Sequence, residues 1–319
     1  MSANPCKLYR FDLSADSGPE PRRALQLADL AVDVLAAEAM LTPKPALVDG
    51  RGSGVHRDLD LPKMLKSASS LHGTFLNMAE AAGAAGREPN QALREQLARI
   101  GRSGERCMFA ATGGSNAHRG AIWVLGLLVA ARAIRSDESP RGGTGPLREA
   151  APGAEAGPRE TAALAARIAA FPDRYAPAQD SHGARACLRY GVRGARGEAV
   201  AGFPHVIDVG LPAMWAARAK GADETCARLD ALMAIMATLD DTCLLHRGGL
   251  SALQAAQRGA RDALMAGGSS SAAGRRALLR LDAELVKRNA SPGGCADLLA
   301  ACIFLDSDCK KPSATLRTR

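Results

Sequence analysis

What this sequence has little of narrows it first. Aromatic side chains are only 3% of the 319 residues. Surfaces that grip single-stranded nucleic acid need interleaved aromatics, and no Lys/Arg run resembles a nucleic-acid arm, so no nucleic-acid partner is expected. β-branched residues are sparse and no stretch sustains period-two alternation, which argues against a sheet-based fold. The longest apolar run, Ala121 to Ala131, is closed by Arg132 and is too short to span a bilayer. Met1 to Arg23 is polar and proline-containing, without the apolar core of a signal peptide. No membrane partner is expected, and the expected location is cytoplasmic. The eight cysteines form no CxxC pair and no zinc-like spacing with histidine, so they read as reduced, structural thiols. A GxxxxGK[ST] loop is absent, as is a GxGxxG after a strand.

What is present points to helices. Apolar residues make up 47%, and alanine, leucine and arginine, all good helix formers, recur throughout. The fold class expected is all-α: a compact globular domain of roughly ten helices with a buried central helix, Ala117 to Ile134, apolar on nearly all sides. The organisation expected is a polar tail over 1–23, one helical catalytic domain over 24–306 and a polar tail over 307–319. Within it, 136–159 turns to Gly, Pro, Arg and Glu and reads as a mobile insert. The formal net charge of +8 favours a polyanion (nucleic acid, an acidic membrane surface or a phosphate-rich small molecule), although a GC-rich genome that writes arginine often accounts for much of the excess.

Four segments carry candidate chemistry. Gly113-Gly114-Ser115-Asn116-Ala117-His118-Arg119 places His118 and Arg119 in the first turn of a helix, where the macrodipole disfavours cations. A bound phosphate, held by backbone N–H groups with Ser115 or Asn116, would resolve that conflict; a plain glycine break with a solvated arginine is the alternative. In Asp240-Asp241-Thr242-Cys243-Leu244-Leu245-His246-Arg247, Asp240 extends the apolar stripe of Leu229, Leu232, Met233 and Met236. A carboxylate there needs a partner. Adjacent aspartates suit Mg²⁺ shared with phosphate oxygens, or one of them pairs with Arg247 or another arginine and the other is solvated. The spacing is not the DDxxD of prenyl-diphosphate enzymes.

The third segment, Thr42 to Asp49 followed by His56-Arg57-Asp58, is stiffened by Pro43 and Pro45. It presents Lys44, Asp49, His56 and Asp58 as phosphate or metal contacts. The fourth runs from Ser181-His182-Gly183 to the glycine-flanked Arg193 and Arg196. These arginines form either a phosphate clamp or solvated loop charges, with Glu198 and His182 the nearest acid/base candidates.

Taken in order, TPKPALVD, GVHRD, ATGGSNAHRGAI, DSHGARACLRYGVRGARGEAVAGFP, DDTCLLHRGG and SPGGCADLLA resemble the motifs of the triphosphoribosyl-dephospho-CoA synthases. That family serves citrate lyase and malonate decarboxylase. The resemblance covers about Leu25 to Asp306, apart from the insert. The departures are Ala46 for glycine, Ala117 for threonine, Arg119 for lysine and Cys243 for asparagine; Ala46 and the GRGSG stretch lean to the malonate decarboxylase branch. It implies that ATP and dephospho-CoA are the substrates. The 2′-hydroxyl of dephospho-CoA attacks the anomeric carbon of the ATP ribose, adenine leaves and the triphosphate stays. It also implies a holo-acyl-carrier-protein synthase as the partner that uses the product. Asp240, Asp241, Glu198 and His182 are then the catalytic candidates, with Mg²⁺ on the aspartate pair. Lys44, Asp49, His56, Asp58, Ser115, Asn116, His118, Arg119, Arg193, Arg196, His246 and Arg247 are the candidates for binding substrate. Two rivals are a Mg²⁺-dependent nucleotide hydrolase and a non-catalytic module binding CoA or an acyl carrier.

Overall fold

A computed structural model describes residues 19–135, 156–176 and 181–307. Among them the chain forms thirteen α-helices and one π-helix, with no named strand. Both polar tails fall mainly outside the described residues, as do 136–155 of the expected insert. The last part of that insert is helical, because Ala156–Ala170 forms one continuous helix, α6.

The first helix, α1 (Pro19–Met40), packs its apolar stripe against α3 (His72–Ala84) and the last helix, α13 (Gly293–Asp306). Asp60 caps α2 (Leu61–Ser70) by accepting from the Lys63 N–H at 2.8 Å, with Pro62 in the first turn, as expected of such a pair. Leu71 separates α2 from α3. The next helix, α4 (Gln91–Thr112), runs unbroken through Gly101 and Gly104. Gly104 is a close-approach point. A Cβ at Gly104 would meet the Thr74 methyl at 2.6 Å, so α3 and α4 touch there only without a side chain.

Helix α5 (Arg119–Ile134) is the buried centre that the sequence suggests: Ile122, Leu125, Leu128 and Val129 are all sealed in. Each such side chain contributes at most about 1.5–3 kcal/mol on transfer from water. Around it pack α3, α4, α6 and α13. The short helices α7 (His182–Tyr190) and α8 (Gly194–Val200) then lead into the π-helix His205–Gly210, which runs on into α9 (Leu211–Ala219). Helices α10 (Glu224–Met236), α11 (Thr242–Met265) and α12 (Ala272–Lys287) complete the set, α11 kinking at Gly249. At the far end Arg218 of α9 bonds Asp306 of α13 at 2.7 and 2.8 Å, and Trp215 Nε1 donates to the same carboxylate at 2.8 Å. That buried network ties α9 to the last turn of α13. No helix among the described residues is long and apolar enough to cross a membrane.

The proline loop between α1 and α2 is built from its own polar atoms. Asp49 is buried and accepts from the Lys44 and Arg51 N–H groups at 2.8 and 2.7 Å. Asp282 of α12 anchors the same loop through Ala46 N at 2.7 Å and Arg51 Nη1 at 2.8 Å. Ala46 has φ 57°, a left-handed conformation that favours glycine, the residue the family motif carries at that place.

Candidate active site

The site follows from where helices begin. A cleft of about 940 Å³ opens in the middle of the molecule. The first residues of α5, α7, α11 and α13 all line it: Arg119 and Gly120, His182 and Gly183, Thr242 and Cys243, Gly293 and Gly294. Each helix start carries partial positive charge and N–H groups without intrahelical partners. Four such ends directed at one space create an anion-attracting field.

Carboxylates from neighbouring helices balance that field. Asp241 is buried at the N-cap of α11, where it accepts from Cys243 N at 2.7 Å and Leu244 N at 3.3 Å. Its second oxygen accepts from Cys295 N at 2.9 Å, so one carboxylate caps both α11 and α13. The glycines of SPGG make this approach possible, since a Cβ at Gly294 would stand 3.1 Å from the Asp241 carboxylate. Burial pushes the Asp241 carboxyl upward, while those three backbone N–H groups pull it down. Asp297 of α13 does for α5 what Asp241 does for α13. It accepts the Ala121 N–H, and a Cβ on Gly120 would sit 1.9 Å from its Oδ2. Burial, with Glu38 and Asp241 nearby, drives the Asp297 carboxyl well above the usual range.

The group beside the start of α5 is, in this structure, the protein's own Asp297 carboxyl. His118 is the N-cap of α5 rather than part of its first turn, and it is buried. Its Nδ1 meets Ser67 Oγ at 2.7 Å, while Nε2 has no partner and faces the cleft wall. Burial, with Lys44 nearby, lowers its pKa to about 3, so it is a neutral imidazole and not the cation expected. Arg119 pairs with Glu105 at 3.0 Å. Lys44 is sealed in and donates to Glu38 Oε1 and to the Glu38 carbonyl, both at 2.6 Å.

The expectation for Asp240 needs correcting. It does not continue the core stripe, because α10 ends at Met236 and Asp240 is exposed on the cleft. The extended backbone that Asp241 needs as an N-cap, with ψ 114°, stops any continuous helix there. For the same reason α10 and α11 are separate helices.

Histidines ring the cleft. His182 stacks on His246 with ring centroids 3.8 Å apart. Partial burial, with His182, Arg185 and Arg247 close by, lowers the His246 pKa. His56 Nε2 meets Ser291 Oγ at 3.1 Å and its Nδ1 faces Arg247 at 3.5 Å; burial and that arginine lower its pKa. Glu198 is fully engaged by His205, accepting the His205 backbone N–H and ring Nδ1, both at 2.8 Å. That bond outweighs burial and raises the His205 pKa. Glu198→Gln is expected to lower the His205 pKa, read from the imidazole shift in an NMR titration. The stability this pair contributes is present below the unfolded histidine value and fades as pH rises through the higher folded one. An unmoved His205 titration would contradict the pairing.

Of the residues singled out from sequence, Lys44, His56, Asn116, His118, Arg119, His182, Arg193, Glu198, Asp240, Asp241, His246 and Arg247 line this one cleft. Four do not. Asp49 shapes the proline loop, and Asp58 is exposed, its carbonyl accepting from Ser115 Oγ at 2.9 Å. Ser115 is spent on that bond, and the Arg196 side chain is exposed beyond the cleft. Sequence reasoning passed over Glu38 and Asp297. Glu38 continues the buried stripe of Leu27, Ala31, Val34 and Leu35 on α1, and Asp297 lies on the mostly apolar α13, so the argument applied to Asp240 would have found them.

Comparison with known proteins shows the family. Residues 24–314 match the family model described as ATP:dephospho-CoA triphosphoribosyl transferase. The chain is 53% identical over 299 residues to a Pseudomonas fluorescens protein named "Probable 2-(5''-triphosphoribosyl)-3'-dephosphocoenzyme-A synthase", covering 94% of this chain and 96% of that protein. An Azotobacter vinelandii protein of the same name is 55% identical over 289 residues, covering 90% and 93%. No solved structure matches.

Proposed function

Because the chain belongs to the ATP:dephospho-CoA triphosphoribosyl transferase family, we propose that the cleft where four helix N-termini meet is where ATP and dephospho-CoA react. The protein is a transferase that forms 2′-(5″-triphosphoribosyl)-3′-dephospho-CoA with release of adenine. The observation that carries the site assignment is the convergence of α5, α7, α11 and α13 on one cleft whose rim also presents Arg193 and Arg247. Asp241 already caps α11 and α13 and Asp297 lies against α5, so Arg193 and Arg247 on the rim supply the charge that draws and orients the triphosphate.

Departure of adenine leaves cationic character on the ribose, and fixed negative charge beside it lowers the barrier. Asp240, exposed to the cleft, supplies that charge. The 2′-hydroxyl of the acceptor must lose a proton as it attacks. The stacked His182–His246 pair is the acceptor in this scheme, because its surroundings favour neutral His246. Glu198 orients His205, a positioning role instead of direct acid/base work.

Among the described residues no three His, Cys, Asp or Glu side chains are grouped to hold a metal by themselves. Both oxygens of Asp241 are spent on the caps of α11 and α13, so Asp240 alone would offer a carboxylate to Mg²⁺, which ordinarily takes one or two carboxylates and completes its shell with phosphate oxygens and water. Bound there, Mg²⁺ would neutralise the triphosphate. The same proposal includes a cytoplasmic location and a product that serves as prosthetic-group precursor for the acyl-carrier subunit of malonate decarboxylase.

Adenine release, followed by chromatography, tests the reading. ATP plus dephospho-CoA should yield adenine, and ATP alone should yield none. Adenine or phosphate formed equally without dephospho-CoA would replace the transferase with a hydrolase.

A further inference from the structure

A second cavity, of about 430 Å³, lies between α4 and α5 and shares Glu105, Phe109, Arg119 and Trp123 with the main cleft. Most of its wall is apolar, including Leu97, Ile122 and Leu127. Into this wall is set Arg94, 8% exposed, its guanidinium 4.9 Å from the centroid of the Trp123 ring. The Nε of Arg94 is buried without a hydrogen-bond partner.

The carboxylates that could neutralise Arg94 are committed elsewhere. Asp173 bonds Arg102 at 2.6 Å, and Glu95 accepts from Arg174 at 2.5 Å and from Gln91 at 2.7 Å. Burial lowers the Arg94 pKa; Asp173 opposes that shift, while the charges of Arg196 and Arg102 add to it. Arg196, which the main cleft does not use, is held near this cavity because Trp123 Nε1 donates to the Ala195 carbonyl at 3.2 Å. A buried guanidinium among other arginines, open to a cavity, is half of an ion pair.

We propose that this cavity binds the diphosphate of dephospho-CoA, with Arg94 and Arg196 as its cationic partners and the apolar wall taking the start of the pantetheine arm. The proposal rests on the transferase reading, in which two anionic nucleotides must meet at one bond. Arg193 and Arg247 of the main cleft serve the triphosphate. A triphosphate ends in charge, whereas the acceptor's diphosphate is followed by a long chain, which matches cationic residues set in an apolar wall. The shared neck at Trp123 and Arg119 lets the acceptor ribose reach the main cleft while its diphosphate lies in the second cavity.

Two variants of the full chain test this, read by calorimetric titration with dephospho-CoA and by the KM of each substrate. Arg94→Met removes the charge, and Ala98→Phe fills the cavity from its half-buried wall without touching an arginine. Each is expected to weaken dephospho-CoA at least about tenfold while the KM for ATP moves less than about twofold. An equal or larger rise in the ATP KM, or unchanged dephospho-CoA binding in both, would overturn the assignment. Should Arg94→Met fail to fold, Ala98→Phe decides. Direct binding needs no turnover, so a wild type that binds dephospho-CoA tightly but releases no adenine would refute the transferase reading and leave the cavity assignment to the calorimetry.

Discussion

Asp240→Asn is expected to lower kcat by about 10²–10³-fold while the far-ultraviolet circular dichroism and the melting temperature stay as in the parent. The factor is what one fixed electrostatic group facing a developing charge commonly supplies. Stability should hold because Asp240 is exposed and caps no helix, its neighbour Asp241 being the N-cap. If Asp240→Asn keeps near-parental kcat across a Mg²⁺ titration, both the electrostatic and the metal-holding roles fall. Asp241→Ala offers the contrast. It should cost stability as well as activity, because three backbone N–H groups at two helix starts would lose their acceptor.

Lys44→Met should destabilise the fold by about 3–5 kcal/mol, the usual cost of removing one partner from a buried ion pair. Lys44 is 1% exposed and Glu38 4%, so the stranded carboxylate would find no water. The penalty is compounded by Asp297, whose carboxyl Glu38 already pushes upward. Chemical denaturation measures the loss. The double variant Lys44→Met with Glu38→Gln should recover much of it by removing the uncompensated charge. A double variant no more stable than the single one would mean that Lys44 contributes packing alone.

How much of this was legible in the chain depends on which local rule governed each place. Asp60 with Pro62 announced a helix start and made one, because a cap is a contact between residues three apart. The apolar run of 121–131 announced a central helix for a similar reason, since a segment with no polar face has nowhere but the core to go. Gly104 announces nothing locally: its missing side chain serves the approach of α3, a fact about packing that no window of sequence contains.

At the site, the sequence placed most polar residues in the right cleft but paired them with the wrong reasons. His118 and Arg119 at a helix start called for an anion, and the group beside that start is the Asp297 carboxyl, far away in sequence. Asp240 seemed to extend a buried stripe until Asp241 ended the helix by capping the next. Arg94 gave no local signal at all. On a helix rich in arginine, only the tertiary fold shows which one lies against Trp123 and away from water.

The central claim is that the cleft directs attack to the ribose carbon of ATP and leaves its phosphates intact. The most direct measurement follows the label of γ-³²P-ATP during turnover with dephospho-CoA and Mg²⁺. The label should appear wholly in the CoA-derived product, one for each adenine released. Label recovered as inorganic phosphate or diphosphate, with adenine still attached to ribose, would contradict the account.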